Sequence, residues 1–310
     1  MLIEIWGKKI WYEVYGAEHS DTLLYLHGGP GASCLDFANQ ARALGETMKV
    51  VIFDQLGVLR SDAIGEHESY GMEYQIEMLE EMRRLLGIDK WSILGHSYGG
   101  MLAVLYAYAC PSSIRKVILE CPSLCFEDSA RSTAEYLSGH ISSLNDEQAV
   151  RLCEKIKSED YQDKTEAVWD LSNLLSYVTD PELRFYLHNI TFEAYQMSMD
   201  TSDITDEMWS KGERHLMKLL EAPPASGGSP QNRVRMTDNL LPLLPKITAP
   251  ILLINGRYDP ACTENQITYM MRHTPNLTQA VFENSGHFPR LEEAEKYTNT
   301  VLRFLEGDAS

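Results

Sequence analysis

Short runs of β-forming residues alternate with stretches of helical period through the first 120 residues, and this alternation limits the fold more than any other feature of the chain. The runs at 22–26 and 50–53 are almost wholly apolar, as strands are when both faces of a sheet are covered. Met72, Ile76, Leu79, Met82 and Leu86 recur at helical spacing and Gly87 follows as a stop, which predicts a helix with its apolar stripe laid on that sheet. Further strands are expected at 91–94 and 116–119, separated by a helix over 101–109 that closes before Pro111. Strand, helix, strand, helix is the order of an α/β protein. Ahead of it, Ile3, Ile5, Ile10, Tyr12 and Val14 alternate about Gly7-Lys8, the pattern of a hairpin with one buried face.

From about residue 125 to 235 the alternation stops. The chain becomes helical and charged there, with 20 acids against 11 bases, and its better helical segments fall at 149–156, 166–177 and 206–220. It ends in Ala222-Pro-Pro-Ala-Ser-Gly-Gly-Ser-Pro230, whose Pro and Gly content suits a hinge or crossing loop. Then the first pattern resumes, with a strand at 250–255, a helix at 264–273, a strand at 279–282 and a terminal helix at 291–305. The expected organisation is a core of residues 1–124 and 236–310 interrupted by a helical cap, residues 125–235.

Composition narrows the partners. With 44% hydrophobic and 23% charged residues, the 310-residue chain has ordinary globular composition. Its formal charge of -18 repels phosphate backbones and anionic lipid headgroups, so neither nucleic acid nor a membrane surface is an expected partner. Six cysteines are scattered without a CxxC pair or a Cys/His cluster at zinc spacing, which reads as reduced thiols and no metal site. The N-terminal stretch has no uninterrupted apolar run with a cleavage site, so a cytoplasmic protein is expected. Composition leaves the oligomeric state open.

Gly95-His-Ser97-Tyr-Gly99 directly follows the strand at 91–94 and opens a helix. That is the setting in which a tight strand-to-helix turn lifts a serine hydroxyl above a sheet. A serine needs a base to take its proton and an acid to fix the base's tautomer. Among nine histidines, His287 in Asn284-Ser-Gly-His-Phe-Pro289 lies just past the last strand, and Asp259 in Ile254-Asn-Gly-Arg-Tyr-Asp-Pro260 closes the strand before it. Both belong to the sheet edge that carries Ser97. Asp238 and Glu264 are the alternative acids, but neither ends a strand. His27-Gly-Gly-Pro-Gly31 follows the strand at 22–26, where bare backbone N–H groups can face a reacting carbonyl. The expected oxyanion donors are the N–H groups of Gly29 and Tyr98.

His27-Gly-Gly-Pro-Gly31, Asp54-Gln-Leu-Gly57 with Arg60-Ser-Asp62, Gly95-His-Ser-Tyr-Gly-Gly100, Asp259 and Ser285-Gly-His287 together resemble the proline iminopeptidase family of α/β-hydrolases. The resemblance covers residues from about 20 to 120 and 240 to 305. It implies an α/β-hydrolase fold, with a mostly parallel eight-stranded sheet flanked by helices and an inserted helical cap. It also implies metal-free, cofactor-free hydrolysis of small acyl or short peptide substrates through an acyl-enzyme.

Relatives release an N-terminal proline or other residue, or cleave amino-acid amides or esters. Two departures bear on substrate. Leu59 stands where members carry Gly, so a reshaped loop is expected at Val58-Leu59. Aminopeptidases of this family also hold the substrate amine with cap carboxylates, one in a Gly-Pro-Asn-Glu-Phe-like segment, whereas Gly228-Ser-Pro-Gln-Asn232 has no acid. Either Glu193 or Glu221 substitutes or the substrate has no charged amine, because a buried ammonium without a carboxylate is costly. An uncharged ester or lactone is the competing substrate class, and a non-catalytic binding module the competing function. Trp169, Phe192, Tyr195 and Trp209 are candidates for the acyl pocket or for the cap's own packing.

Overall fold

The computed structural model describes residues 1–178, 186–221 and 234–307. The expected hinge at 222–230 and the segment at 228–232 lie outside the described residues. The strands are β1 (Leu2–Ile5), β2 (Lys8–Tyr15), β3 (Thr22–Leu26), β4 (Lys49–Phe53), β5 (Trp91–His96), β6 (Ile114–Glu120), β7 (Ile251–Gly256) and β8 (Leu277–Phe282). They form one eight-stranded sheet in the order β1-β2-β4-β3-β5-β6-β7-β8. β2 runs antiparallel to both of its neighbours, and every pairing from β4 to β8 is parallel. The mostly parallel α/β-hydrolase architecture is therefore present.

Strand side chains alternate between two cores. Leu24 and Leu26 of β3, Ile93 of β5 and Leu253 of β7 enter one, and Leu23, Tyr25, Leu94 and Ile254 enter the other. The first face is covered by α2 (Met72–Leu85), α3 (Tyr98–Ala109) and α9 (Glu264–His273), through residues such as Leu79, Leu102 and Met270. The second is covered by α1 (Ala38–Leu44) and α11 (Ala294–Glu306), through Ala41, Leu44, Tyr297 and Val301. Each large side chain so buried contributes about 1.5–3 kcal/mol. Burial on both faces is why these strands read as continuous apolar runs.

The segment between β6 and β7 holds α4 (Phe126–Ser143), α5 (Glu147–Ser158), α6 (Lys164–Leu175), α7 (Phe192–Met197) and α8 (Asp206–Glu221). Ala130, Ala134, Leu137 and Ile141 of α4 pack with Ala149, Cys153 and Ile156 of α5 and Leu171 and Leu174 of α6 in a cluster separate from both sheet cores. α8 behaves differently. Its Leu219 joins the sheet core and its His215 is fully buried.

α4 carries no strong apolar stripe, because much of its buried face is Ala, Ser and Thr. One element departs from expectation. The terminal helix is divided at Glu293 into α10 (Pro289–Glu292) and α11. Among the described residues no helix is long and apolar enough to cross a membrane. All six cysteines are free thiols.

Candidate active site

The chain order β3, β4, β5 is spatially β4-β3-β5, so the connections leave β3 in one direction and return to its other side. A crevice opens at such a reversal, beyond the carboxyl ends of the strands. The loops after β3 and β5 carry His27-Gly-Gly-Pro-Gly31 and Ser97 to that point.

Ser97 has φ 54° and ψ -118°, a left-handed backbone that a serine adopts only when its surroundings enforce it. The enforcement is visible. A Cβ on Gly95 would lie 2.2 Å from Gly99 O, and one on Gly99 would lie 2.0 Å from Leu26 O, so strand, turn and helix meet too closely for any side chain. Ser97 N–H donates to Glu120 O at the end of β6 (3.0 Å), and Gly100 N–H donates to Ser97 O (2.9 Å). The serine is half-buried at the N-terminus of α3.

Asp259 and His287 are brought together. His287 Nδ1 lies 2.9 Å from Asp259 Oδ2, and Asp259 Oδ1 accepts the Ala261 N–H at 2.8 Å, so both carboxylate oxygens are engaged. Both residues are buried, at 4% and 9% exposure. With Asp259 accepting at Nδ1, the neutral imidazole keeps its lone pair on Nε2. Gly256 makes the approach possible, since a Cβ there would meet Gly286 O at 1.9 Å. His287 N–H donates to Tyr186 O at 2.7 Å. The His287 ring is 4.7 Å, centroid to centroid, from the ring of His96, the residue before Ser97. No hydrogen bond joins the Ser97 hydroxyl to His287 among the described residues, and catalytic bonds of this kind often tighten only around substrate.

The glycine loop stands over the serine, because a Cβ on Gly28 would lie 3.1 Å from Ser97 Cβ. His27 holds that loop. Its Nε2 accepts the Gln55 N–H at 3.1 Å and its Nδ1 lies 3.0 Å from Gly28 O. Burial lowers its pKa, so it stays neutral. Gly29 has φ 113°, and neither its N–H nor that of Tyr98 has an acceptor among the described residues.

Behind the serine lies a buried charge network that the sequence did not disclose. Arg290, fully buried, pairs with Asp36 and sits 3.0 Å from Glu120 Oε2, the latter an ion pair outside hydrogen-bonding angles. Tyr25 O–H donates to Asp36 (3.2 Å) and Tyr297 O–H to Glu120 (3.1 Å). Burial raises the Glu120 carboxyl pKa, opposed by Arg290, and burial followed by the repulsion of Arg290 holds His96 well below the usual imidazole value. The only signal in the sequence was the proximity of Arg290 to His287.

A cavity of about 440 Å³ is lined by Ala32, Ser33 and Asp36 below and by Phe192, Tyr195 and Trp209 among the residues above. Three of the four expected aromatics therefore share one wall, with Phe192 and Tyr195 stacked at 6.1 Å. Trp169 does not line it and is 38% exposed on α6. Glu193 is exposed on α7 and outside the lining, and Glu221 pairs with Lys218 at 3.1 Å. Asp238 closes a turn by accepting the Arg235 N–H, and Glu264 opens α9. Neither alternative acid hydrogen-bonds to His287, whose Nδ1 faces Asp259. Leu59 lies in the loop expected to be reshaped. It holds φ 32°, in the region glycine favours, and buries its side chain with Leu35, Val58 and the cap-side Met199, Ile204 and Met208.

Cys121 places its thiol within 4.8 Å of donor atoms of Asp259 and His287. Burial pushes this thiol well above its ordinary pKa, so the group offers a neutral S–H and two side chains already bonded to each other. That is a poor donor set for a cation.

A family described as the alpha/beta hydrolase fold matches residues 21–294. A proline iminopeptidase from Heyndrickxia coagulans is 26% identical over 309 residues, covering 98% of each chain. The crystal structure of a proline iminopeptidase from Mycobacterium smegmatis superposes with a TM-score of 0.67 at 20% identity, covering 99% of this chain and 97% of that one. An enol-lactonase from Burkholderia xenovorans LB400 superposes almost equally, with a TM-score of 0.66 at 18% identity over 99% of this chain and 100% of the other. Likeness at that identity speaks for the fold alone.

Proposed function

This chain belongs to the alpha/beta-hydrolase fold family and is a serine hydrolase, and we propose that Ser97 is its nucleophile, His287 its base and Asp259 the acid that orients the base. Ser97 Oγ attacks a substrate carbonyl while His287 Nε2 takes the hydroxyl proton. The oxyanion is bound by the Gly29 and Tyr98 N–H groups, and His287 then protonates the leaving amine or alkoxide. Water repeats the attack on the acyl-enzyme, giving up a proton to His287, which passes it to Ser97 Oγ as the acid is released. The observation that carries this reading is the 2.9 Å contact of His287 Nδ1 with Asp259 Oδ2 beside the strained Ser97 turn.

For substrate we propose release of an N-terminal residue, as proline iminopeptidases are named for, with residues 125–235 as a cap over the cavity. Ser97, His287, Gly29 and Tyr98 do not line the cavity of about 440 Å³, so in this reading the acyl group extends from the serine into it. The six free thiols suit a reducing, cytoplasmic setting. One observation favours the second reading, an uncharged ester or lactone. Asp36 is the only carboxylate on the described cavity wall, and it is already bound by Arg290 and Tyr25.

Three substrates decide between these readings: a free-amine prolyl arylamide, its N-blocked analogue and a short-chain aryl ester. Preference for the unblocked amide supports N-terminal release. Indifference to blocking with faster ester cleavage refutes it in favour of the esterase reading.

A further inference from the structure

Helix α8 brings its backbone at Gly212 against the very loop proposed to bind the oxyanion. A Cβ on Gly212 would lie 2.4 Å from Gly31 O, and a Cβ on Gly31 would lie 2.4 Å from Gly212 O. The two backbones thus touch with no side chain between them, two residues from Gly29. The contact is held from both sides. One residue earlier, Lys211 Nζ donates to Leu59 O at 2.9 Å and Ser61 O at 3.0 Å. Three residues later, His215 Nδ1 lies 2.8 Å from Leu56 O, and burial lowers its pKa to about 3, so the ring stays neutral. Below them, Leu59 is buried against Met199, Ile204 and Met208. Within one turn, α8 is therefore fastened to the 56–61 loop while its bare backbone bears on Gly31.

We propose that α8 sets the position of the oxyanion loop, and that Gly212 is a positioning residue for the hydrolytic reaction, acting through Gly31 on the Gly29 N–H. This rests on the serine-hydrolase reading above. A methyl group at 212 must displace Gly31 or the helix by roughly 1 Å, since its partner is backbone that has no rotamer to give. Oxyanion donors act at fixed range, so a shift of that size costs turnover far more than binding.

The test compares wild type, Gly212→Ala, Lys211→Met and Gly139→Ala. Gly139 is exposed on α4 with nothing within 4 Å of an added Cβ, so it controls for adding a methyl group to a helix. The readouts are the phosphonylation rate with an alkyl fluorophosphonate and kcat and KM for p-nitrophenyl acetate, all per titrated active site. Gly212→Ala is expected to lower phosphonylation and kcat by about tenfold to a hundredfold with KM changed by less than about threefold. Lys211→Met should follow by a smaller factor, and Gly139→Ala should match wild type. A purely structural role lowers the number of titratable sites and leaves the rate per site alone.

Retention of kcat within about twofold in Gly212→Ala overturns the proposal. If that variant does not fold, Lys211→Met decides, and an unchanged rate per site there overturns it. A wild type inert to both fluorophosphonate and ester removes the underlying reading and this proposal with it.

Discussion

Replacing Arg290 with methionine tests the buried network behind the serine. Methionine approximates the length of the arginine stem, so packing is largely kept while the positive charge is lost. What remains is two carboxylates, Asp36 and Glu120, at 6% and 0% exposure, without the cation that now faces both. Breaking a buried pair from one side costs about 3–5 kcal/mol, because an uncompensated charge is left in low dielectric.

The loss depends on pH. Burial already raises the folded-state pKa of Glu120, and Arg290 opposes that rise. An acid raised on folding binds more protons in the native than in the unfolded state, so its contribution to stability falls as pH rises through the window between the two values. Removing Arg290 lifts the folded value further and widens the window. The deficit of Arg290→Met should therefore be full near pH 8 and shrink toward pH 5 as the Glu120 carboxyl takes up its proton. Urea unfolding at about pH 8 and pH 5.5 measures it, and the melting temperature should drop by roughly 5–8 °C at the higher pH. A deficit below about 1 kcal/mol at pH 8, or one equal at both pH values, refutes the reasoning.

Asp259→Asn should lower kcat by about 10⁴-fold while leaving the fold intact, since an amide at Oδ2 favours the wrong imidazole tautomer. Active-site-titrated turnover checks it, and a loss under about tenfold contradicts the assignment. Leu59→Gly relieves left-handed strain of roughly 1–2 kcal/mol and removes a buried side chain worth about 2–5 kcal/mol. A net destabilisation of about 1–3 kcal/mol in urea is expected, and a more stable variant would show that strain outweighs packing at Leu59. Trp209→Ala opens the wall of the cavity and should raise KM for a bulky acyl ester by about fivefold or more, with little change for acetate. Equal KM changes for both esters would place Trp209 outside the acyl pocket.

What was legible in the sequence was what depends on local necessity. β3, β5 and β7 have strand side chains buried on both faces, so their apolar runs announced them. Gly95 and Gly99 leave no room for a Cβ, so the turn carrying Ser97 had to be spelled with glycine, and its place after a strand made Ser97 the candidate nucleophile. Asp259 and His287 were legible for a similar reason, since each ends or follows a strand at the same edge.

α4 was not legible because the face it buries is mainly small residues. The Asp36, Glu120 and Arg290 cluster was invisible because nothing periodic marks residues that meet only across the sheet edge. At Leu59, where the resembled motif has glycine, the backbone takes φ 32° and the side chain is buried against Met199, Ile204 and Met208, contacts that no local pattern announces.

The claim that a hydroxyl at residue 97 is made nucleophilic by its neighbours is tested most directly by intact-mass and peptide mapping after treatment with an alkyl fluorophosphonate. One adduct per chain, confined to the peptide containing Ser97 and absent from both Ser97→Ala and His287→Ala, is the predicted result. An adduct on another residue, or undiminished labelling of Ser97 when His287 is gone, would contradict it.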